Sequence, residues 1–526
     1  MIRNDASTIV VGAGIAGLAA AIELAAAGRE VTVCEVRDAP GGKMRTLTVD
    51  GHAIDSGPTV LTMRDVFESI FAAGGTTLDT EVTLAPLPVL ARHAWDEGAH
   101  FDLLAEPQAR DDEVARIFSP TARDELSAFL AHAKAVHNSL AHRFMRASQP
   151  SMLGLVGRFG LKGLPQLFAN RPFASLWTEL ARHLSEPRLR QLFARYATYC
   201  GASPMRAPST LMLIAHVEAA GVWHVVGGMQ GLADALERTA RRLGVTFRYG
   251  TRVANIEVEH ERVCGITTDE GERLPAASLI FNADVSALAD GLFGHGVAKA
   301  VKRVRPRDRA LSAVTWSARG KSVGRPLAYH NVFFSRDYER EFDDIFSAGR
   351  TPDDPTVYLC AQEKTPDWEG HADTDADTSL FCLINAPPDG DTRSYTSDED
   401  LERCTKTLHA TATRCGLSLS LPSHSTQLTT PADFARMFPA TGGALYGRAT
   451  HGPFGAFQRP GSKTAVPGLY VAGGSAHPGP GIPMAALSGR LAASQLIADH
   501  ASTRQFHPVA TSGGTLTPSA TTVSSD

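Results

Sequence analysis

The sequence predicts an α/β fold in which one parallel sheet is assembled from both ends of a chain of 526 residues. Three observations predict it. Residues 8–11 form a β-branched apolar run, followed by Gly12, Gly14 and Gly17 and then by an Ala/Leu-rich stretch, 18–27, that stops at Gly28. Residues 30–34 form a second apolar run that delivers Glu35. Far away, residues 468–472 read as another strand, leading through a Gly/Pro-rich turn into a helical stretch at 485–497. Apolar runs without alternation are buried on both faces, as parallel strands are.

Each element has a physical reason. Gly12, Ala13, Gly14, Ala16 and Gly17 follow the G-x-G-x-x-G pattern. The first glycine permits a tight turn, the second lets backbone approach a pyrophosphate, and the third lets helix and strand pack closely. The helix that follows points free N–H groups at phosphate, and Gly28 suits its C-terminal end. Glu35 lies about 20 residues beyond the glycines, where an acid bonds ribose hydroxyls and repels a 2′-phosphate. NADP is therefore disfavoured. Pro40-Gly41-Gly42-Lys43-Met44-Arg45 follows closely, then Ile54-Asp55-Ser56-Gly57-Pro58-Thr59. A Gly pair with two basic residues beside it wraps a second phosphate face and the side of a flavin ring, so FAD fits better than NAD.

Composition sets limits. Hydrophobic residues make up 43% and charged residues 20%, with a net charge of −5. No long basic run exists, so nucleic acid is excluded as a partner. The seven cysteines are scattered singly, without a C-x-x-C pair, so neither a disulfide framework nor a metal site is expected. The first strand leaves no room for a signal peptide, and no apolar stretch is long enough to span a bilayer.

Between the two ends, residues 87–101 alternate and predict strands of a second sheet. Residues 124–145 have helical period, with Leu126, Phe129, Leu130 and Ala133 on one face. Residues 151–177 are apolar with Arg158, Lys162 and Arg171 interspersed, a pattern that suits a lipid interface as well as it suits a core-facing helical subdomain. Residues 192–202, with Tyr196, Tyr199 and Cys200, present an apolar face for a long tunnel. Residues 233–243 read as a helix, 245–249 and 251–257 as strands returning to the first sheet, and 279–284 as a strand re-entering it. Asn282 and Asp284 are expected to cap the helix that follows. The expected organisation is a cofactor domain from 1–75, 221–295 and 446–501; a mixed-sheet substrate domain from 76–120 and 296–445; a helical subdomain, 121–220; and a disordered, Ser/Thr/Gly-rich tail, 502–526.

The order G-A-G-I-A-G-L, then E-x-x-x-x-P-G-G-K, then D-S-G-P-T resembles the Rossmann-type flavoproteins of the GR2 class, which include amine oxidases and carotenoid desaturases. Residues 327–342, 430–434 with 442–447, and His477-Pro-Gly-Pro-Gly-Ile-Pro483 are similar to segments of the bacterial carotenoid desaturases. The likeness covers about residues 8 to 500. Within that group the chain is most similar to the hydroxyneurosporene (methoxyneurosporene) desaturases of purple bacteria.

This resemblance implies an FAD-dependent enzyme that introduces a 3,4 double bond into a carotenoid hydrated at C1. It implies a greasy substrate site, a peripheral seat on the cytoplasmic face of the inner membrane, and quinone or oxygen as terminal acceptor. By resemblance Val253 meets the adenine through its backbone. Gly473, Gly474, Gly481 and Ile482 approach the ribityl chain and ring, and Pro483 and Met484 open the final helix. No catalytic residue is singled out; His477 is expected to order the Gly-Pro turn. A phytoene desaturase of other regiochemistry shares these motifs. An amine oxidase would want an aromatic cage and a lysine-bound water, and a redox-inactive lipid escort would not need the intact cofactor motifs.

Overall fold

The computed structural model describes residues 7–96, 98–148, 173–364, 377–395 and 397–505. Five parallel strands form the first sheet in the order Leu469–Val471, Ser278–Phe281, Ser7–Val11, Glu30–Cys34, Thr246–Arg248. The opening strand is central, and the strand from the far end of the chain occupies one edge. The helix Ile15–Ala26 is buried on nearly all sides, because the sheet covers one face and the helices Met229–Arg242 and Ile482–Gln505 cover the others. Two helices approach at Gly489, where an added Cβ would lie 2.0 Å from the Ala16 carbonyl oxygen. Only glycine permits that crossing.

The second sheet is mixed. Its order is Leu417–Ser420, Ser312–Gly324, Thr378–Ala386, Val357–Ala361, His330–Phe333, Val89–Ala94, His100–Leu104, with Thr426–Thr429 also paired to Ser312–Gly324. All pairs are antiparallel except His330–Phe333 with Val89–Ala94. The helices Pro107–Ile117, Pro120–Leu140, Leu176–His183 and Pro187–Ala194 share one apolar core with it, centred on Phe101, Leu126, Phe129, Phe193 and Phe334. Pro120–Leu140 starts at a capping Ser119 with Pro at its first position, and buries Leu126, Phe129 and Ala133 as its periodicity predicts.

Three expectations are corrected. Val253–Glu259 does not return to the parallel sheet; it pairs antiparallel with Arg262–Thr268 in a separate three-stranded meander. The connection is His260 and Glu261, both at positive φ, and so short a turn closes only an antiparallel hairpin. The final helix runs on to Gln505, past residue 502 where a disordered tail was expected. Asn282 does not cap the helix after it: Asp284 does, accepting from the Ser286 N–H, while Asn282 has another task described below. Residues 151–172, most of the stretch whose pattern suits lipid, lie outside the described residues. Among those described, no helix is long and apolar enough to cross a membrane.

Candidate functional site

The first strand ends in a turn shaped by close approach. Gly12 takes φ +101 and donates its N–H to the Cys34 carbonyl at 2.8 Å. A Cβ on Gly17 would sit 2.1 Å from the Gly12 carbonyl oxygen. The Ala13 N–H donates to Glu35 Oε2 at 2.6 Å, and the Arg37 N–H to Oε1 at 3.0 Å. Glu35 thus ties the glycine turn to the second strand, and each oxygen keeps a lone pair for a further donor such as a ribose hydroxyl. The Gly pair folds back against this turn. Gly41 donates to the Ala13 carbonyl at 2.9 Å, and a Cβ on Gly42 would lie 3.1 Å from the Gly14 Cα.

Asn282, at the end of its parallel strand, clamps the cradle. Its Oδ1 accepts the Gly17 N–H at 2.9 Å and its Nδ2 donates to the Ala472 carbonyl at 3.0 Å. One amide side chain therefore joins the amino-terminal glycine turn to the carboxy-terminal strand. Gly473 follows at φ +128, with its N–H given to Ser488 Oγ at 3.1 Å. The helix beginning at Ile482 then points its N-terminal turn into the same space as the helix beginning at Ile15. Two helix N-termini converging on one volume suit anionic or electron-rich groups.

Lys43 is enclosed, not solvated. Its Nζ donates to the Leu445 carbonyl at 2.5 Å and lies 4.9 Å from the Phe438 ring centroid. Burial pulls its pKa below the usual lysine range, with Asp284 opposing and Arg459 adding to the fall. Arg45 donates to Thr429 Oγ1 at 2.8 Å, and burial lowers it to about 10. Arg459, which no motif announced, is fully buried and satisfied by carbonyls of Tyr446 (2.7 Å), Gly474 (3.0 Å) and Arg448 (2.7 Å). It knits the 446–450 segment to the Gly473-Gly474 turn.

These pieces surround a cavity of about 1080 Å³. Gly12, Gly14, Ala16, Glu35, Gly42, Lys43, Gly57, Pro58, Thr59, Val253, Gly473, Gly474, Ile482, Pro483 and Met484 all line it. Ala13 and Gly17 do not: they stand one layer behind, Ala13 donating to Glu35 and Gly17 packing against the Gly12 carbonyl. The cradle fits a flavin dinucleotide, because side chains are excluded where backbone must approach phosphate and an acid lines the same wall.

The rest of the cavity wall is mostly apolar, with Leu211 from a 3₁₀ turn, Ile214 and Val217 from the helix Leu213–Ala219, and Phe381 and Leu383 from the strand Thr378–Ala386. Of the tunnel residues read from the sequence, Tyr199 and Cys200 line it, whereas Tyr196 is buried behind them. The shift arises because Arg195–Cys200 is 3₁₀ rather than α-helical, which changes the face each residue presents. His477 points away: its Nε2 lies 2.9 Å from the Phe144 carbonyl and its ring packs edge-on to Phe144 at 4.8 Å. That contact orders the turn.

Comparison with known proteins agrees with this geometry. The model of the flavin containing amine oxidoreductase family matches residues 15–497. A hydroxyneurosporene desaturase of Rubrivivax gelatinosus is 47% identical over 98% of this chain and 97% of that protein. Another, from Cereibacter sphaeroides, is 42% identical over 94% and 98% respectively. Among solved structures, an oxidoreductase from Methanosarcina mazei aligns with TM-score 0.57 and 17% identity over 92% of this chain and 99% of its own. A putrescine oxidase with bound putrescine aligns with TM-score 0.57 and 16% identity over 94% and 99%. At such identity the structures speak for the fold alone.

Proposed function

The chain belongs to the flavin containing amine oxidoreductases, within them to the carotenoid desaturases, and from that premise we propose that it introduces the 3,4 double bond into a carotenoid already hydrated at C1. The observation that carries this reading is the single cavity that joins the cofactor cradle to an apolar arm. FAD is the cofactor of this family, and the residues proposed to hold it are the cavity-lining set from Gly12 to Met484 named above. When bound, the oxidised flavin supplies two-electron acceptance, which no side chain offers.

The chain's own residues bind, orient and exclude water. A polyene has almost no polar atoms, so affinity comes from burial, at roughly 25 cal/mol per Å² of apolar surface removed from water. Leu211, Ile214, Val217, Phe381 and Leu383 supply that surface. Lys43 and Arg459 spend their hydrogen bonds on carbonyls of residues 445–448 and 474, which fixes the wall where the two arms meet. A conjugated substrate spreads positive charge as hydrogen leaves with its electrons, so loss of the second hydrogen as a proton demands only a weak acceptor. No strong side-chain base is assigned to that step.

The reading includes a peripheral seat on the cytoplasmic face of the inner membrane, and quinone or oxygen as terminal acceptor. Supporting the seat, Phe173 and Phe454 are exposed and pair edge-to-face at 6.0 Å; flotation with lipid vesicles that survives Phe454→Ser in undiminished yield would count against their part in it. The substrate reading is tested by anaerobic mixing with a 1-hydroxylated carotenoid. Flavin bleaching and a red shift of the polyene are expected to rise together. Bleaching without the shift means another substrate, and equal use of hydroxylated and unmodified carotenes overturns the hydroxylated assignment.

A further inference from the structure

One part of the apolar arm is not apolar. Arg195, Tyr199 and Glu218 all line the cavity. Glu218 accepts the Tyr196 hydroxyl at 2.9 Å and the Tyr199 hydroxyl at 3.2 Å. The Tyr199 oxygen in turn accepts from Arg195 Nη1 at 3.1 Å. The guanidinium lies 5.4 Å from the Tyr199 ring centroid and 5.3 Å from that of Tyr358, so both rings flank the charge at cation–π range. Such a cluster adds nothing to the binding of a hydrocarbon and is costly to keep away from water.

A guanidinium carries five N–H donors. The bond to Tyr199 uses one, and among the described residues no carboxylate lies in ion-pair contact with Arg195. Part of its surface remains accessible, and Arg195 forms part of the cavity wall. The cluster also stands close to the loop proposed to hold the cofactor. The Tyr358 hydroxyl is 2.5 Å from Thr59 Oγ1, and Thr59 follows Gly57, where a Cβ would strike the Lys43 carbonyl oxygen at 2.1 Å.

That position matches the proposed substrate, on whose identity the inference rests. A hydroxyl on C1 is three bonds from C3 and four from C4, so with bonds of about 1.5 Å it sits about 4 Å and about 5 Å from the two carbons that lose hydrogen. A group that recognises it belongs beside the cofactor and not at the distal end of the arm. We propose that Arg195, held by Tyr199 and Glu218, donates hydrogen bonds to the tertiary hydroxyl of the substrate end group and determines the preference for hydrated carotenoids. Glu218 is a positioning residue: it acts through Tyr199. An unmodified end group leaves the guanidinium edge desolvated without an acceptor, and sites built for a hydroxyl reject the analogue that lacks it.

The test compares kcat/KM for a 1-hydroxycarotenoid and its unhydrated parent in the FAD-loaded enzyme, for the unaltered chain and for Arg195→Met. The ratio of the two values is expected to fall about 10- to 100-fold, the range of a hydrogen bond to a charged group, with flavin content retained. Tyr199→Phe, which keeps the ring and removes the hydroxyl that orients the guanidinium, is expected to lower the ratio several-fold, and decides the matter should Arg195→Met not fold. An unaltered chain without preference overturns the substrate reading itself. A chain with preference whose ratio survives both substitutions overturns the subsite alone.

Discussion

The cofactor end of the cavity and its substrate end are built by different means. At the cofactor end, shape comes from backbone: at Gly12, Gly14, Gly17, Gly42 and Gly57 a Cβ would meet another atom within 3.1 Å. At the substrate end, shape comes from side chains that arrive from distant segments, such as Tyr199, Leu211, Phe381 and Tyr446. A surface made by missing side chains needs one residue type at a fixed spacing. A surface made by large side chains can be met by many combinations. The first is written locally in sequence, and the second exists only after folding.

The sharpest way to break this contrast is Gly17→Ala. Its Cβ would collide with a carbonyl that the strand cannot move, and the expected result is a loss of about 3 kcal/mol together with loss of FAD. Gly28→Ala is the contrasting case: its φ is +77, unlike that of Gly17, but no atom lies within 4 Å of the new Cβ, so only the backbone cost of about 1 kcal/mol is expected. Melting temperature and the ratio of flavin to protein absorbance check both. Equal effects would mean that close approach does not shape the cradle.

Next in size is Asn282→Leu. It leaves the Gly17 N–H and the Ala472 carbonyl without their partner, and a loss of about 2 kcal/mol is expected, with faster release of FAD on dilution. Stability loss without weaker FAD retention would show that the clamp serves the sheet alone.

The smallest effect probes the substrate wall. Burial, the largest influence, holds the Glu218 carboxyl above its ordinary 4.5, against the Tyr196 bond, the Arg195 charge and the Tyr199 bond. The folded chain therefore keeps this proton where the unfolded chain has released it. Stability falls as pH rises from 4.5 and levels off once the folded state has also released the proton. Glu218→Gln is expected to flatten that slope by up to about 1.4 kcal/mol per pH unit, read as melting temperature against pH. An unchanged slope would place the pH dependence on another buried acid.

This contrast explains what the sequence reveals. Gly12, Gly14, Gly17 and Glu35 are legible because backbone turns and a ribose-distance acid impose fixed intervals. Asp284 is legible because capping is local. Asn282 is not: its two partners lie 265 and 190 residues away, and an asparagine before a helix signals a cap. Arg459 is missed because a buried arginine satisfied by carbonyls has no motif. Tyr196 and Tyr199 are separable only once the segment is known to be 3₁₀. The sheet of residues 251–257 is not legible because strand character carries no partner, and only the short turn at His260 and Glu261 identifies it.

The seat of Gly489 on Ala16 has a consequence for how this molecule is made. The helix Ile15–Ala26 leaves the ribosome tens of seconds before Ile482–Gln505 does, at typical rates of translation. Throughout synthesis its greasy flank has no lid, and the edge strand Leu469–Val471 is missing from its sheet. Until Ile482–Gln505 docks, that flank stays exposed to water, an unfavourable state for apolar surface, so this part of the fold closes last.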